Sequence, residues 1–294
     1  MREFTFEKLD VFTHKGSAGN PAGLVPMTPG DMLSENEMQQ LARELGGFVN
    51  ETAFIHEAED GFHLRFFSSA CEVAFCGHAL IGTFYRLITT NPRLLDQPEL
   101  TMHVRAGALT VYNRVSEEDA VYIAAPAPQF LEREITNGEI ASALGFDFYT
   151  PDRWLPEVVD AGLRTLIVPL PSLADCLSTK PVFATLRDFC AAKNIDIVHV
   201  FAQETIEKDA EYHTRVFAPK FGYLEDPATG SGNAAFAGYL IKRDAMPEHL
   251  TIEQGADRDR PNRVKLARIS VHGAPAILFG GRADTTLTGT YRLR

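Results

Sequence analysis

The chain has 294 residues, of which 45% are hydrophobic and 23% charged, and a net charge of −11. That length suits one large domain or two of ordinary size, with ordinary globular composition. No Lys or Arg run exceeds two residues. Nucleic acid is therefore excluded as an expected partner, because its binding depends on neutralising phosphates, and no apolar run approaches a membrane span.

At the N-terminus, "MREFTFEKLD" alternates charge and apolarity as a strand does and lacks the apolar core of a signal peptide, so the cytoplasm is the expected location. "SENEMQQLARELGG" predicts a helix. Ser34 and Glu37 form a capping box, Met38, Leu41 and Leu45 share one face, and Gly46–Gly47 stops it. "ETAFI" and "FHLRFF" follow as strands, short and β-branched or aromatic. "GHALIGTFYRLI" then reads as a helix apolar nearly all round, and a helix without a polar face is buried. "LTMHVRA", "ALTVYN" and "AVYIAA" return to strands, and "YIAAPAPQF" (Tyr122 to Phe130) is the most linker-like stretch. Beyond it, "RTLIVPL", "DIVHVFA" and "YHTRVFA" precede a second apolar helix, "GSGNAAFAGYLIKR", and the strands "RVKLARISVHG" and "AILFGG". Helices are expected to be few.

The four cysteines do not form a disulfide scaffold in a long chain without a secretion signal. Cys71 and Cys76 have at best loose zinc half-site spacing, with no His cluster to complete it. Pro181 breaks any single helix between Cys176 and Cys190, and both read as small buried hydrophobes. No metal is expected.

The two apolar helices sit in similar surroundings. "RFFSSACEVAFCGHALIGTFYRL" and "RVFAPKFGYLEDPATGSGNAAFAGYL" each begin Arg-x-Phe, with Arg65 and Arg215. Each has a Glu five residues before a Gly: Glu72 before Gly77, and Glu225 before Gly230. Half a chain separates the two glycines. The expectation is a duplicated strand–loop–buried-helix unit, with the domains at residues 1–118 and 119–279 and the last strand, 280–294, returning to the first. Two such halves would aim their helix N-termini at one interdomain cleft.

The second loop is not a phosphate loop. It has no Gly-Lys-Ser/Thr, and the third position of a dinucleotide fingerprint is Ala235. Other residues suit proton chemistry. Glu51 heads an apolar strand, where partial desolvation raises a carboxyl pKa towards general-base range, although acids at strand ends are also commonly solvated. His78 follows Gly77 at a helix start, where the dipole favours a neutral ring; a helix cap is the plainer reading. Asp226 and Ser231 bracket the second loop, and each has a plain alternative as turn former or N-cap. Two helix N-termini, with Gly77, Gly230 and Gly232 admitting close approach, would hold a substrate carboxylate through backbone N–H groups.

"DVFT…GNPAGLV", "NETAFI", "CEVAFCGHALIGT", "GLRTLIVPL" and "RVFAPKFGYLEDPATGSGNAAFAGYL", in this order over nearly the whole chain, resemble the signature blocks of the phenazine-biosynthesis (PhzF-like) isomerase family, related to diaminopimelate epimerase. The resemblance implies an α+β fold of two similar domains, each a β-barrel wrapped around a central helix, in a homodimer. It implies Glu51 as acid/base, with His78, Asp226 and Ser231 orienting substrate or relaying the proton. Cys76, Gly77, Thr229, Gly230 and Gly232 would line the substrate site. Related amino-acid epimerases pair two cysteines; here Cys76 fills the first position but Thr229 the second, and a hydroxyl is too weak an acid to replace a thiol. The expected function is a cofactor-independent isomerase moving a proton on a small carboxylated metabolite. The alternatives are a non-catalytic small-molecule-binding dimer, or a one-thiol epimerase using Cys76.

Overall fold

The computed structural model describes residues 2–151, 154–271 and 273–293; Met1, Asp152, Arg153, His272 and Arg294 lie outside the described residues, so the strand expected through His272 is seen only as far as Val271. The fold is mixed α/β and has two compact units, Met1–Ala124 with Gly280–Arg294, and Ala125–Phe279.

In chain order the first unit holds β1 (Arg2–Val11), β2 (Asn20–Pro26), α1 (Glu35–Glu44), β3 (Glu51–Ala58), β4 (Gly61–Ser68), β5 (Glu72–Val73), α2 (Gly77–Thr90), α3 (Pro92–Leu95), β6 (Glu99–Val104), β7 (Gly107–Arg114), α4 (Val115–Glu118) and β8 (Ala120–Ala124). The second holds β9 (Gln129–Leu131), α5 (Asn137–Leu144), β10 (Glu157–Asp160), β11 (Arg164–Pro169), α6 (Leu173–Ser178), α7 (Phe183–Lys193), β12 (Ile197–Ala202), β13 (Tyr212–Phe217), β14 (Glu225–Asp226), α8 (Gly230–Ile241), β15 (His249–Gln254) and β16 (Asn262–Val271). β17 (Ala274–Gly281) leads back, and β18 (Ala283–Leu293) pairs antiparallel with β1.

The strand pairing repeats between the units. In the first, β2 runs parallel to β3, β3 antiparallel to β4, and β4 carries β5 antiparallel and β6 parallel, with β7 antiparallel on β6. In the second, β11 runs parallel to β12, β12 antiparallel to β13, and β13 carries β14 antiparallel and β15 parallel, with β16 antiparallel on β15. The matching letters of the two halves are also matching contacts. Arg65 Nε and Nη2 donate to the two oxygens of Glu72, each at 2.8 Å, and Arg215 Nε and Nη2 donate to Glu225 in the same bidentate way at 2.8 Å. Each guanidinium lies over the Phe two residues on, 5.1 Å from the Phe67 ring centre and 5.0 Å from that of Phe217. This clamp ties the long strand to the short one that leads into the buried helix.

Each such helix is buried as its composition requires. In α2 the run Ala79 to Tyr85 is buried, and the helix packs on β1, β2, β3, β8 and β18. Contact is so close that a Cβ on Gly82 would lie 2.6 Å from Val11 Cγ2. In α8 every residue from Gly232 to Leu240 is buried, and the helix packs on β10, β11, β12 and β16.

Helices are more numerous than the sequence reading expected. α5 begins on a full capping box, Thr136 with Glu139, and ends on Gly145 in the left-handed region, so its signals stood in the letters. α6 ends at Ser178 and α7 starts at Phe183, on either side of the helix-breaking Pro181. α7 lacks a start signal, because its N-cap is Val182, which makes no side-chain hydrogen bond.

The two clamps differ in burial. Arg215 Nη1 also donates to the carbonyls of Cys176, Leu177 and Thr179, whereas Arg65 reaches out to the exposed Glu35. Arg215→Met is expected to cost ~3 kcal/mol or more, since it strands a carboxylate and three carbonyls. Arg65→Met should cost about 1 kcal/mol, because Arg65 is partly exposed and Arg105 still pairs with Glu72 at 2.9 Å. Urea unfolding of the two variants checks the order; equal losses would contradict it.

Candidate active site

Parallel β2 and β3 begin at the same end of the first unit's sheet, and there Glu51 pairs with Ala22 on one side and Ser68 on the other. The chain leaves β4 at that end, turns through β5 and enters α2, so the helix start comes back beside the head of β3. Cys76 is the N-cap residue, with extended backbone (φ −140°, ψ 104°) and no side-chain cap; Gly77 and His78 open the helix.

This path brings Glu51 beside Cys76 and His78, which open a helix much later in the chain. Ligand-type atoms of Glu51, Cys76 and His78 all lie within 4.8 Å of one another. His78 Nε2 is 3.4 Å from Glu51 Oε2, and Cys76 Sγ is 3.5 Å from His78 Nδ1. The Glu51 side chain is 21% exposed and that of His78 15%. At 3.4 Å the imidazole is too distant for a short charge-assisted bond, and burial governs the acid. Burial raises the Glu51 carboxyl from 4.5 to about 7. A group poised there holds its proton half the time at neutral pH and can both accept and return one. One thiol, one imidazole and one carboxylate are also donors of the kind zinc accepts, a grouping that the linear spacing of the cysteines did not announce.

The same sheet end receives the turn between β1 and β2, whose role the residues alone did not reveal. Phe12 (φ 66°) and Lys15 (φ 46°) adopt left-handed backbone. Gly19 is required there: its φ is +66°, and a Cβ would meet the Val11 carbonyl oxygen at 2.8 Å. Asn20, buried at the head of β2, stands two residues before the partner of Glu51.

The second unit places its loop in corresponding fashion. Thr229 is the N-cap of α8 with φ −123° and ψ 114°, close to the backbone of Cys76, and it too makes no side-chain cap. Ser231 is therefore not the N-cap; it lies one residue beyond Gly230 inside the helix. Asp226 sits on β14, buried and paired with Val216. Gly230 has a structural reason of its own, since a Cβ there would fall 2.3 Å from the Phe279 ring. Gly232 is likewise hemmed by Thr229 and Ile197.

A buried polar network that sequence reasoning missed holds this loop. Gln254 Oε1 accepts from Thr229 N at 3.1 Å and from Asn233 Nδ2 at 2.7 Å, and Gln254 Nε2 donates to the Asp226 carbonyl at 2.9 Å. Asn233 Oδ1 lies 3.1 Å from His199 Nε2, and burial pushes His199 down to about 4, so the ring is neutral. Asn233, the one amide in an apolar helix, was the available signal.

Known proteins share this chain's family and fold. The family model described as "Phenazine biosynthesis-like protein" matches residues 9–289. An uncharacterized isomerase, YfhB, of Bacillus subtilis is 31% identical over 300 residues, covering 99% of this chain and 96% of its own length. The trans-2,3-dihydro-3-hydroxyanthranilate isomerase of Pseudomonas aeruginosa is 28% identical over 292 residues, covering 94% of this chain and 97% of its own. Among solved structures, a PhzF-family phenazine biosynthesis protein of Bacillus anthracis superposes with a TM-score of 0.86 at 27% identity, each chain covered in full. The chain belongs to the PhzC-PhzF family of phenazine biosynthesis-like proteins.

Proposed function

We propose that this protein is an isomerase that moves a proton on a small carboxylated metabolite, with Glu51 as the acid/base and no organic cofactor. The observation that carries the reading is the buried Glu51 carboxyl, raised to about 7, beside His78 at a helix start. Relatives along the whole chain are named isomerases, which supports the same class.

In this reading the Glu51 carboxylate takes a proton from a substrate carbon, and the electron pair left behind shifts into the adjoining unsaturated system. The acid so formed returns the proton to a second carbon, which regenerates the carboxylate. His78 orients the substrate and shields the carboxyl from water. Asp226 and Ser231 would orient the substrate or relay the proton, and the backbone N–H groups opening α8 would bind its carboxylate. Each buried helix touches several strands of its own unit, which supports sheets that curl around them as barrels. A one-thiol variant of this chemistry is favoured by one observation, the 3.5 Å approach of Cys76 Sγ to His78 Nδ1. Cys76→Ala separates the two: the Glu51 reading expects turnover to persist, and the thiol reading expects it to vanish.

A panel of small unsaturated carboxylates, trans-2,3-dihydro-3-hydroxyanthranilate among them, incubated in D₂O and followed by NMR, tests the reaction. Solvent deuterium should enter the product. Glu51→Gln should lower kcat by about 10²–10⁴-fold while ligand still binds. Ligand-dependent stabilisation without any exchange would instead indicate a binding protein, and full turnover by the variant would sink the assignment of the base.

Stability offers a second check with a definite sign. The folded pKa of about 7 lies above the unfolded 4.5, so the contribution of Glu51 is fully present below pH 4.5 and lost as pH rises through 7. Glu51→Gln escapes that loss. At pH 8 the variant should be more stable than the parent by up to ~3 kcal/mol, with the gain gone at pH 4. Paired thermal unfolding at the two pH values measures this, and a destabilised variant at pH 8 would contradict it.

A further inference from the structure

At the other end of β3 from Glu51 lies a cluster that proton transfer does not use. The register sets His56 opposite His63 across β3 and β4, and His63 beside His103 across β4 and β6. Their rings stack in a row, with centres 5.1 Å and 4.6 Å apart and both pairs tilted by 17°. Asp60, in the turn between β3 and β4, faces the last two rings. Its Oδ1 is 2.8 Å from His63 Nε2, its Oδ2 is 3.4 Å from His103 Nε2, and its carbonyl oxygen is 3.1 Å from the same nitrogen.

The turn is pressed into this position. Gly61 has φ +126°, and a Cβ there would lie 2.5 Å from the Thr101 carbonyl oxygen on β6. Only a glycine lets the hairpin end approach β6 so closely, and that approach carries Asp60 to His103.

We propose that Asp60, His63 and His103 form a binding site for a borderline divalent transition-metal ion such as Zn²⁺. The three donor atoms already lie within 4.8 Å of one another. Bonds of about 2.0–2.2 Å in tetrahedral geometry set neighbouring donors roughly 3.3–3.5 Å apart, so turning the His63 and His103 rings out of their stack closes the set. Two imidazoles and a carboxylate suit zinc and its neighbours rather than calcium or magnesium, which prefer all-oxygen shells. The cluster is open to solvent, with Asp60 60% exposed and the two rings 35% and 30%, so the ion has a route in and water fills the remaining positions. On binding, the ion takes the place of the contacts between the rings and Asp60. It would staple the β3–β4 hairpin to β6, about 17 Å along β3 from Glu51 by the register of His56, and so it would act on stability rather than on proton transfer.

The test uses the full chain without a polyhistidine tag, titrated with ZnCl₂ by calorimetry and with CoCl₂ by visible absorption, at neutral pH. Cys76→Ala serves as control, because it dismantles the other donor set. The parent and Cys76→Ala should each bind one ion per chain, raise their Tm on binding, and show the d–d bands of a Co²⁺ site. His103→Gln and Asp60→Asn, both at solvent-open positions, should fold as the parent does and lose affinity on the order of tenfold or more. Three results would overturn the proposal: no binding by the parent at ~100 μM ion, well above the range of a formed three-ligand site; unchanged affinity in both variants; or loss of binding in Cys76→Ala alone.

Discussion

A helix with no polar face has to be covered on every side, and that constraint organises both halves of this protein. α2 and α8 meet it by packing against strands drawn from most of their own unit, at distances that in places admit only glycine, as at Gly82 against Val11. A helix so enclosed can begin only at the end of its sheet, where the loops are. The first turn of α2 therefore emerges beside the heads of β2 and β3, and a carboxylate placed at residue 51 is enclosed by the same packing that buries the helix. The raised pKa of Glu51 follows from the architecture rather than from any special partner.

The two halves keep one scaffold and diverge in chemistry. The Arg–Glu clamp, the order of parallel and antiparallel steps and the extended N-cap recur in both. At the helix entry, the first half gathers ionisable and nucleophilic groups, Glu51, Cys76 and His78. The second half gathers neutral amides instead: Asn233 and Gln254, with a His199 kept uncharged by burial. One loop is thus equipped to exchange protons and the other is fixed by hydrogen bonds.

Much of this was legible in the letters. The alternation of "FHLRFF", the capping box at Ser34 and the two all-apolar helices read directly, because each is a local pattern. The matching Arg and Glu of the two halves were visible as a repeat, although only the fold shows that they touch. What could not be read is whatever depends on long-range register. Nothing local says that His78 comes within 3.4 Å of Glu51, or that the turn at Gly61 delivers Asp60 to His103. Gly230 shows the opposite failing. In the sequence it reads as room for a ligand, whereas in the fold the ring of Phe279 takes the space. α5 is equally local, with its full capping box at Thr136 and Glu139, and was legible on the same terms.

The most direct measurement is the titration of the Glu51 carboxyl itself, followed by carbon-detected NMR on protein labelled at the glutamate δ-carbon and assigned with Glu51→Gln. The account expects one glutamate resonance to titrate near pH 7, apart from the others, and to be missing in the variant. A Glu51 that titrates with the solvent-exposed glutamates, below pH 5, would contradict it.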